Sequence, residues 1–541
     1  MRILIFHGYL LGGTGSNVYN ARLAGALAGL GHEVHLVCQD PAPERQPFVD
    51  AVGSWDSAGE LRVRALCGPV RVTVYRPEIG RLLPVYVVDR YDGFDARRFA
   101  DCSRAEIETY IARNVAAVGE VAELAGVDVA LANHLVMGPV ILARALGPLG
   151  IPYAVKVHGS ALEYTVKPEP ERFLPYAREG LAGARAILVG SGHTARSLWA
   201  ALDDDDLPSR TRLGPPGVEI SRFAPRAPAD AAAGFHALAA RLGAAPGGGG
   251  RDDVATGEAA GPIPGRPPDG AASDAFTLDL AAAGRALAGL DPGADRIVTY
   301  TGKLIVSKGV DLLLAAWPLV HDRVPHARLL LVGFGEFREG LEALARELAR
   351  GDLAAVRRLA ERGRELEGAE ASPLRMLLAF LDRLEAGGRA GSYARAARAA
   401  GFTVGFTGRL EHADLVDLLP ACEVQVVPST FPESFGMVAA EAAACGVLPI
   451  SAAHSGLAEV SRTLASAIPR EAAGWLSFEL GDDAVDELAG RLVGWLEAPV
   501  ELRAKTSAAL ARIARERYSW EGVASGVIAA AEGRLDDLER P

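Results

Sequence analysis

Lysine is nearly absent. Of 56 basic residues only Lys156, Lys167, Lys303, Lys308 and Lys505 are lysine, and the rest are arginine. Cysteine is equally sparse. Cys38, Cys67, Cys102, Cys422 and Cys445 are widely spaced across 541 residues, odd in number and without a CxxC pair. That excludes a disulfide framework and a structural zinc site, and it is the pattern of a reduced, cytosolic chain. No stretch offers ~20 consecutive apolar residues, which argues against a membrane span. The first residues, MRILIFHGYLLGGTG, lack the charged and apolar regions of a signal peptide and read as a buried strand entering a glycine loop. Positive charge is outnumbered, with a net charge of −12, so no general affinity for nucleic acid is expected.

What is present is the profile of a soluble globular protein, 49% apolar and 23% charged, long enough for two to four domains at ~100–200 residues each. Residues 2–7 read as a strand, 17–30 as an Ala/Leu-rich helix stopped by Gly31, and 33–38 as a second strand. This is a β–loop–α–β unit that opens a parallel sheet. Further strands are expected at 70–75, 83–88, 128–133, 153–158 and 186–190, so that an open α/β domain covers residues 1–220. Residues 227–293 form an insertion rich in Ala, Gly and Pro. Its core, 245–275, is expected to be disordered or loosely ordered, with flanks at 229–242 and 276–290 open to helix. A second βα series covers 294–515, with strands at 296–301, 327–333, 403–407, 423–428 and 447–451. An Arg/Glu/Ala-rich stretch at about 345–400 reads as an added helical hairpin within it. The tail is helical with a break near 518–520. Two open α/β domains in one chain are expected to leave a cleft, with ligands at the carboxyl ends of strands.

Four motifs carry chemistry. Gly12-Gly13-Thr14-Gly15-Ser16 lies between the first strand and helix, where backbone approaches an anion at a helix N-terminus. A tight turn with a capping hydroxyl explains it equally well. The loop fails the GxGxxG dinucleotide pattern, since Val18 stands where Gly or Ala is required. His158-Gly159 ends the strand at 153–158. A ligand-facing histidine and a satisfied core histidine weigh evenly there, and Asn133-His134 ends the preceding strand in the same way with less weight. Lys303 and Lys308, in TGKLIVSKGVD, follow the first strand of the second series. Two ammonium groups in a βα loop suit a diphosphate, including the charge it gains on leaving. In a chain that otherwise uses arginine, ordinary surface lysine is the weaker explanation.

The strongest motif runs from Pro428 through Glu433, Ser434, Phe435, Gly436, Met437 and Val438 to Glu441. A strand ends, a loop turns, and a helix opens near Gly436. Glu441 is the lone carboxylate of an Ala-rich helix, with no charged residue from Ala442 to Ala458. A buried charge requires partners, and a ribose diol supplies two hydrogen bonds. The backbone N–H groups of Ser434, Phe435 and Gly436 suit sugar hydroxyls or phosphate oxygens.

These residues resemble the retaining, GT-B-fold glycosyltransferases of family 4 (glycosyl transferases group 1). The core of the resemblance is Glu433-x7-Glu441 with Ser434-Phe435-Gly436 inside it. Around it stand Gly302-Lys303…Lys308-Gly309, Leu331-Val332-Gly333-Phe334-Gly335, Phe406-Thr407-Gly408, Pro216-Gly217-Val218 and Ser519-Trp520-Glu521. The resemblance implies two Rossmann-like domains facing a cleft, with a last helix (520–541) crossing back to the N-terminal domain. It implies that Glu441 binds the donor ribose, Glu433 the hydroxyls of the transferred sugar, and Lys308 with Lys303 the diphosphate. Gly13 would approach the diphosphate or acceptor, and His158 would face the sugar near the reacting carbon. Retention would follow from front-face attack, the leaving phosphate helping to take the acceptor proton, with neither a protein nucleophile nor a metal or other cofactor. The family often has arginine where this chain has Lys303, which replaces a fork-shaped donor by a point charge.

The implied substrates are a nucleotide-diphosphate hexose and an acceptor, whether sugar, lipid or small metabolite, in the cytoplasm or peripherally at the inner membrane face. Acceptor contacts are expected from residues 91–104 or 163–172. Arg97, Arg98 and Arg104 reach either an anionic lipid surface or, in the favoured reading, solvent. A GT-B phosphorylase, a sugar-nucleotide epimerase and a non-catalytic sugar-nucleotide binder share the fold. A dehydrogenase would leave the second domain unexplained.

Overall fold

The computed structural model describes residues 1–12, 15–86, 93–244 and 279–541. The chain divides into two compact units. The first comprises Met1–Glu219, Glu433–Met437 and Arg517–Pro541, the second Ile220–Pro432 and Val438–Glu516.

The first unit is built on a nine-stranded sheet. In chain order the strands are β1 (Arg2–Phe6), β2 (Glu33–Val37), β3 (Ala51–Trp55), β4 (Leu61–Ala65), β5 (Val72–Arg76), β6 (Leu82–Val85), β7 (Asp95–Arg98), β8 (Val129–Asn133), β9 (Tyr153–Val157), β10 (Ile187–Val189) and β11 (Thr211–Leu213). The sheet order is β11-β10-β9-β8-β1-β2-β5-β3-β4. Its pairs are parallel except for the hairpin β3–β4. Strands β8 and β9 are buried at every residue, which is why they read as continuous apolar runs.

The strand expected at 83–88 is corrected. β6 ends at Val85 and pairs with β7 in a separate two-stranded sheet, outside the main one. Strand β4 was not expected, because Leu-Arg-Val-Arg-Ala is an edge strand with four of five residues exposed, so no core pattern marks it.

The helix Trp520–Glu532 completes this unit. Its Trp520, Ala524, Val527, Ile528 and Ala531 share one core with Ile3 and Ile5 of β1 and Val129 and Leu131 of β8. Two motifs distant in sequence meet at its start. Val218 N–H donates to Tyr518 O at 2.6 Å, and a Cβ at Gly217 would lie 2.5 Å from the Trp520 ring. Glycine is required there by close approach.

The second unit has a six-stranded, wholly parallel sheet: β12 (Arg296–Lys303), β13 (Ala327–Phe334), β14 (Val404–Gly408), β15 (Val424–Val427), β16 (Leu448–Ala452) and β17 (Ser477–Phe478). Their order is β14-β13-β12-β15-β16-β17. The helices Pro228–Gly243 and Leu280–Ala288 flank residues 245–278, and the segment expected to be disordered or loosely ordered lies outside the described residues. The stretch read as a helical hairpin holds four helices instead: Arg338–Arg350, Leu353–Arg362, Arg375–Ala386 and Ala390–Ala400. It is packed rather than appended. Leu377, Phe380, Leu381, Leu384 and Tyr393 are buried, and the Tyr393 hydroxyl donates to Ala315 O at 2.7 Å.

All five cysteines are free thiols. Among the described residues no helix is long and apolar enough to cross a membrane.

Candidate functional site

Each sheet has a point at which the chain switches from one side of its first strand to the other, between β1 and β8 in the first unit and between β12 and β15 in the second. Loops leaving the carboxyl ends of strands at such switch points are where open α/β sheets bind ligands. The motifs singled out from the sequence lie on these loops and on the neighbouring one after β9.

In the first unit, a chain of polar side chains links the ends of β1, β8 and β9. His158 Nε2 lies 2.7 Å from Asn133 Oδ1. Asn133 Nδ2 donates to Asn20 Oδ1 at 2.7 Å and to Phe6 O at 3.2 Å. Asn20 Nδ2 donates to Ser16 O at 2.8 Å and lies 3.0 Å from His7 Nδ1. His7 Nε2 meets Asn17 Oδ1 at 2.9 Å and Leu10 O at 3.0 Å, and Asn17 Nδ2 donates to Gly12 O at 2.7 Å. These partners assign the protons. Each asparagine donates through nitrogen, so His7 accepts at Nδ1 and donates at Nε2, while His158 donates at Nε2 and keeps an acceptor lone pair at Nδ1. Both rings are neutral. Burial pulls His7 down to about 4. Burial, with His134, Lys156 and His7 nearby, holds His158 well below the ordinary histidine range.

Two further buried groups stand beside this chain. His134 lies 4.9 Å from His158 between ring centroids, and neither of its ring nitrogens has a hydrogen-bond partner among the described residues. Lys156 is 2% exposed, donates to Gly214 O, and is pushed by burial down to about 7.

The segment Glu433–Met437 is also part of the first unit. A Cβ at Gly159 would lie 3.1 Å from Ser434 Cβ, and one at Gly190 would lie 2.7 Å from Ser434 O. The Phe435 ring meets Tyr518 edge-on at 5.3 Å. Structure therefore brings Ser434 and Phe435 onto the strand ends that carry His158-Gly159. Gly13 lies outside the described residues, as do 91 and 92 of the stretch expected to meet an acceptor. In the rest of that stretch Arg97 pairs with Glu106 and Asp95, and Arg98 with Asp101.

In the second unit, Lys303 ends β12 and Lys308 ends a short 3-10 turn, Val306–Lys308. Gly309 follows at φ 65°, and a Cβ there would collide with Pro428 O, so both conformation and approach demand glycine. The loop is tied to the segment preceding Glu433, with Thr430 N–H donating to Ser307 O at 2.9 Å.

Glu441 and Val438 lie on the helix Met437–Ala444. Glu441 is 4% exposed and is the one carboxylate of this helix, and a side chain from another loop already partners it. His412 Nε2 lies 2.7 Å from its Oε1, and the His412 ring packs on Phe223 at 5.1 Å. Its Oε2 has no hydrogen-bond partner among the described residues. One oxygen is pinned while the other is left to accept. His412 was missed because it is 29 residues away in sequence and stands in no motif.

Among the described residues no group of three or more His, Cys, Asp or Glu side chains is arranged to hold a metal ion.

Comparison with known proteins places this architecture. Residues 14–204 match the glycosyl transferase 4-like domain, and residues 392–508 match the glycosyl transferases group 1 family. The chain belongs to the group 1 glycosyltransferases, with the GT-B type of fold. It is 29% identical over 255 residues to a D-inositol 3-phosphate glycosyltransferase of Segniliparus rotundus, covering 47% of this chain and 43% of that protein. It is 26% identical over 231 residues to a GDP-mannose-dependent monoacylated alpha-(1-6)-phosphatidylinositol monomannoside mannosyltransferase of Corynebacterium glutamicum, covering 42% and 44%. The chain thus spans less than half the length of these curated relatives. The fold is shared with Anabaena Alr3699/HepE, solved in complex with UDP and glucose, at a TM-score of 0.54 and 15% identity over 98% of this chain and 99% of that one. Lys303 and Lys308 fall outside both matched family segments.

Proposed function

We propose that this protein transfers a hexose from a nucleotide-diphosphate sugar to an acceptor hydroxyl with retention of anomeric configuration. The observation that carries the reading is the placement of two motifs on the loops leaving β12 and β15, the strands flanking the switch point of the second unit. A pair of lysines stands on one loop. The other leads into a helix bearing a buried carboxylate with one oxygen held by His412.

In this reading Glu441 Oε2 accepts from the ribose diol. Lys303 and Lys308 meet the diphosphate, whose charge rises as the bond to the sugar breaks. The backbone of Ser434, Phe435 and Gly436 contacts phosphate or sugar oxygens beside Met437 and Val438, Glu433 takes sugar hydroxyls, and Gly13 approaches the diphosphate. His158, neutral and with an acceptor at Nδ1, takes a hydrogen bond from the transferred sugar and orients it for attack. The acceptor oxygen bonds to the anomeric carbon on the face that the diphosphate leaves, and the acceptor proton passes to the departing phosphate. No metal or other cofactor is assigned a role. The reduced cysteines support a cytoplasmic setting. The ion pairs of Arg97 and Arg98 favour a solvated face over a lipid-binding one.

The two sugar nucleotides attached to the similar proteins differ, GDP-mannose in one and UDP with glucose in the other. The donor is therefore sought by a thermal-shift and hydrolysis screen across UDP-, GDP- and ADP-sugars. One of them is expected to stabilise the protein and to be turned over, and Glu441→Ala is expected to weaken its binding. If no sugar nucleotide stabilises the protein or is consumed, the reading fails.

A further inference from the structure

The loop Leu304–Gly309 is fixed at three points. At its start, Leu304 N–H donates to Phe334 O at 2.7 Å and Leu304 O accepts from Phe337 N–H at 2.9 Å, which ties it to the end of β13. Further along, Ser307 O accepts from Thr430 N–H at 2.9 Å, which ties it to the segment after β15. Between these, Val306 N–H donates to Glu367 Oε2 at 2.8 Å. Glu367 belongs to neither strand end. It comes from the inserted helices, 61 residues away in sequence.

The insertion is shaped to present this carboxylate. Arg364–Glu367 is a 3-10 turn between Gly363 (φ 50°, ψ −116°) and Gly368 (φ 76°). Arg364 N–H donates to Ser372 O at 3.0 Å, which braces the turn. Arg364 Nε donates to the second carboxylate oxygen, Glu367 Oε1, at 2.7 Å. The Glu367 side chain is 8% exposed while that of Arg364 is 54% exposed, so the acid faces inward and its partner outward. A negative group two residues from Lys308 is the wrong charge for a loop that meets a diphosphate. Pairing with Arg364 neutralises it and leaves its geometry, a strong acceptor for one chosen amide.

We propose that Glu367 is a positioning residue for the diphosphate loop: by holding Val306 N–H it sets where Lys303 and Lys308 stand, and through it the helical insertion controls donor affinity. This rests on the diphosphate-binding reading of the two lysines.

The experiment measures the Kd of the full chain for UDP, GDP and ADP and for the matching nucleosides, in wild type, Glu367→Ala and Glu367→Gln. The alanine variant is expected to bind the preferred nucleoside diphosphate about 5- to 10-fold more weakly while its affinity for the bare nucleoside stays within about twofold, a split that general loosening of the fold would not produce. The glutamine variant keeps an acceptor oxygen and is expected to restore diphosphate binding to within about twofold of wild type. If the alanine variant does not fold, Glu367→Asp carries the same test, its carboxylate being one methylene short of Val306. Wild-type diphosphate affinity in a folded Ala or Asp variant overturns the proposal alone. A wild-type protein that binds none of the three diphosphates overturns it together with the donor reading.

Discussion

At the residue scale, the two candidate functional groups best defined by geometry are each oriented by a neighbour. His412 pins Glu441 Oε1 and leaves Oε2 to a ligand. Removing it frees the carboxylate to rotate. His412→Ala is expected to weaken nucleoside diphosphate binding about tenfold by titration calorimetry, and affinity equal to wild type would remove the orienting role. Asn133 does the same for His158, fixing which ring nitrogen carries the proton. Asn133→Ala is expected to lower kcat roughly tenfold with the donor KM within about twofold, measured under saturating acceptor. Of the two partners, Asn133 was marked in the sequence by its place at a strand end, and His412 was not. Glu433, Glu441 and His158 stand in local motifs, whereas His412 is brought to Glu441 from another loop. Asn17 and Asn20 look like ordinary helix polar residues until the fold sets them beneath His7.

At the element scale, the helix Val310–Arg323 begins with a buried acid. Asp311 is 5% exposed, and burial raises its carboxyl from 3.8 to about 7 against the opposing pull of nearby backbone N–H groups. The unfolded chain gives up this proton near pH 4, whereas the folded chain keeps it to about pH 7. The folded state binds more protons between those values, so stability falls as pH rises through that window. The loss is on the order of a few kcal/mol. Asp311→Asn keeps the oxygen acceptor without the charge. It is expected to raise Tm at pH 8 more than at pH 5, and an equal shift at both would show that the acid ionises freely. Element identity itself was largely legible. The central strands β1, β2, β8, β9, β12 and β13 announce themselves as short apolar runs between turns, because parallel strands are covered on both faces. The edge strands β4 and β7 do not, since their residues are half-buried or exposed and no buried face imposes a pattern, and β11, though buried, is three residues long and reads Thr-Arg-Leu.

At the scale of the whole molecule, the first unit carries its own acid sensitivity. His7, His134 and His158 are all kept neutral by burial, each below the ordinary 6.5. The unfolded chain takes up protons that the folded unit refuses, so stability is lost as pH falls from 6.5 toward 4. Scanning calorimetry is expected to show Tm dropping across that range, and His134→Phe, which removes an ionisable ring that has no hydrogen-bond partner among the described residues, is expected to flatten the drop. A variant with the same acid limb would sink this account. The fold class was legible because both βα series have the same grammar. The discontinuity of the first unit was legible only through resemblance, since nothing in the composition of residues 520–532 says which sheet they cover.

That discontinuity has a consequence for how the chain is made. The apolar face formed by Ile3, Ile5, Val129 and Leu131 is finished only when Trp520, Ala524 and Val527 arrive. Residues 1–219 expressed alone are expected to aggregate, and co-expression with 517–541 to rescue their solubility, as judged by sedimentation. On the ribosome, at about 5–20 residues per second, the wait for the closing helix is on the order of tens of seconds. Throughout it the uncovered sheet face is one that a chaperone is expected to hold, and the second unit, though begun later, has all of its residues synthesised before the first.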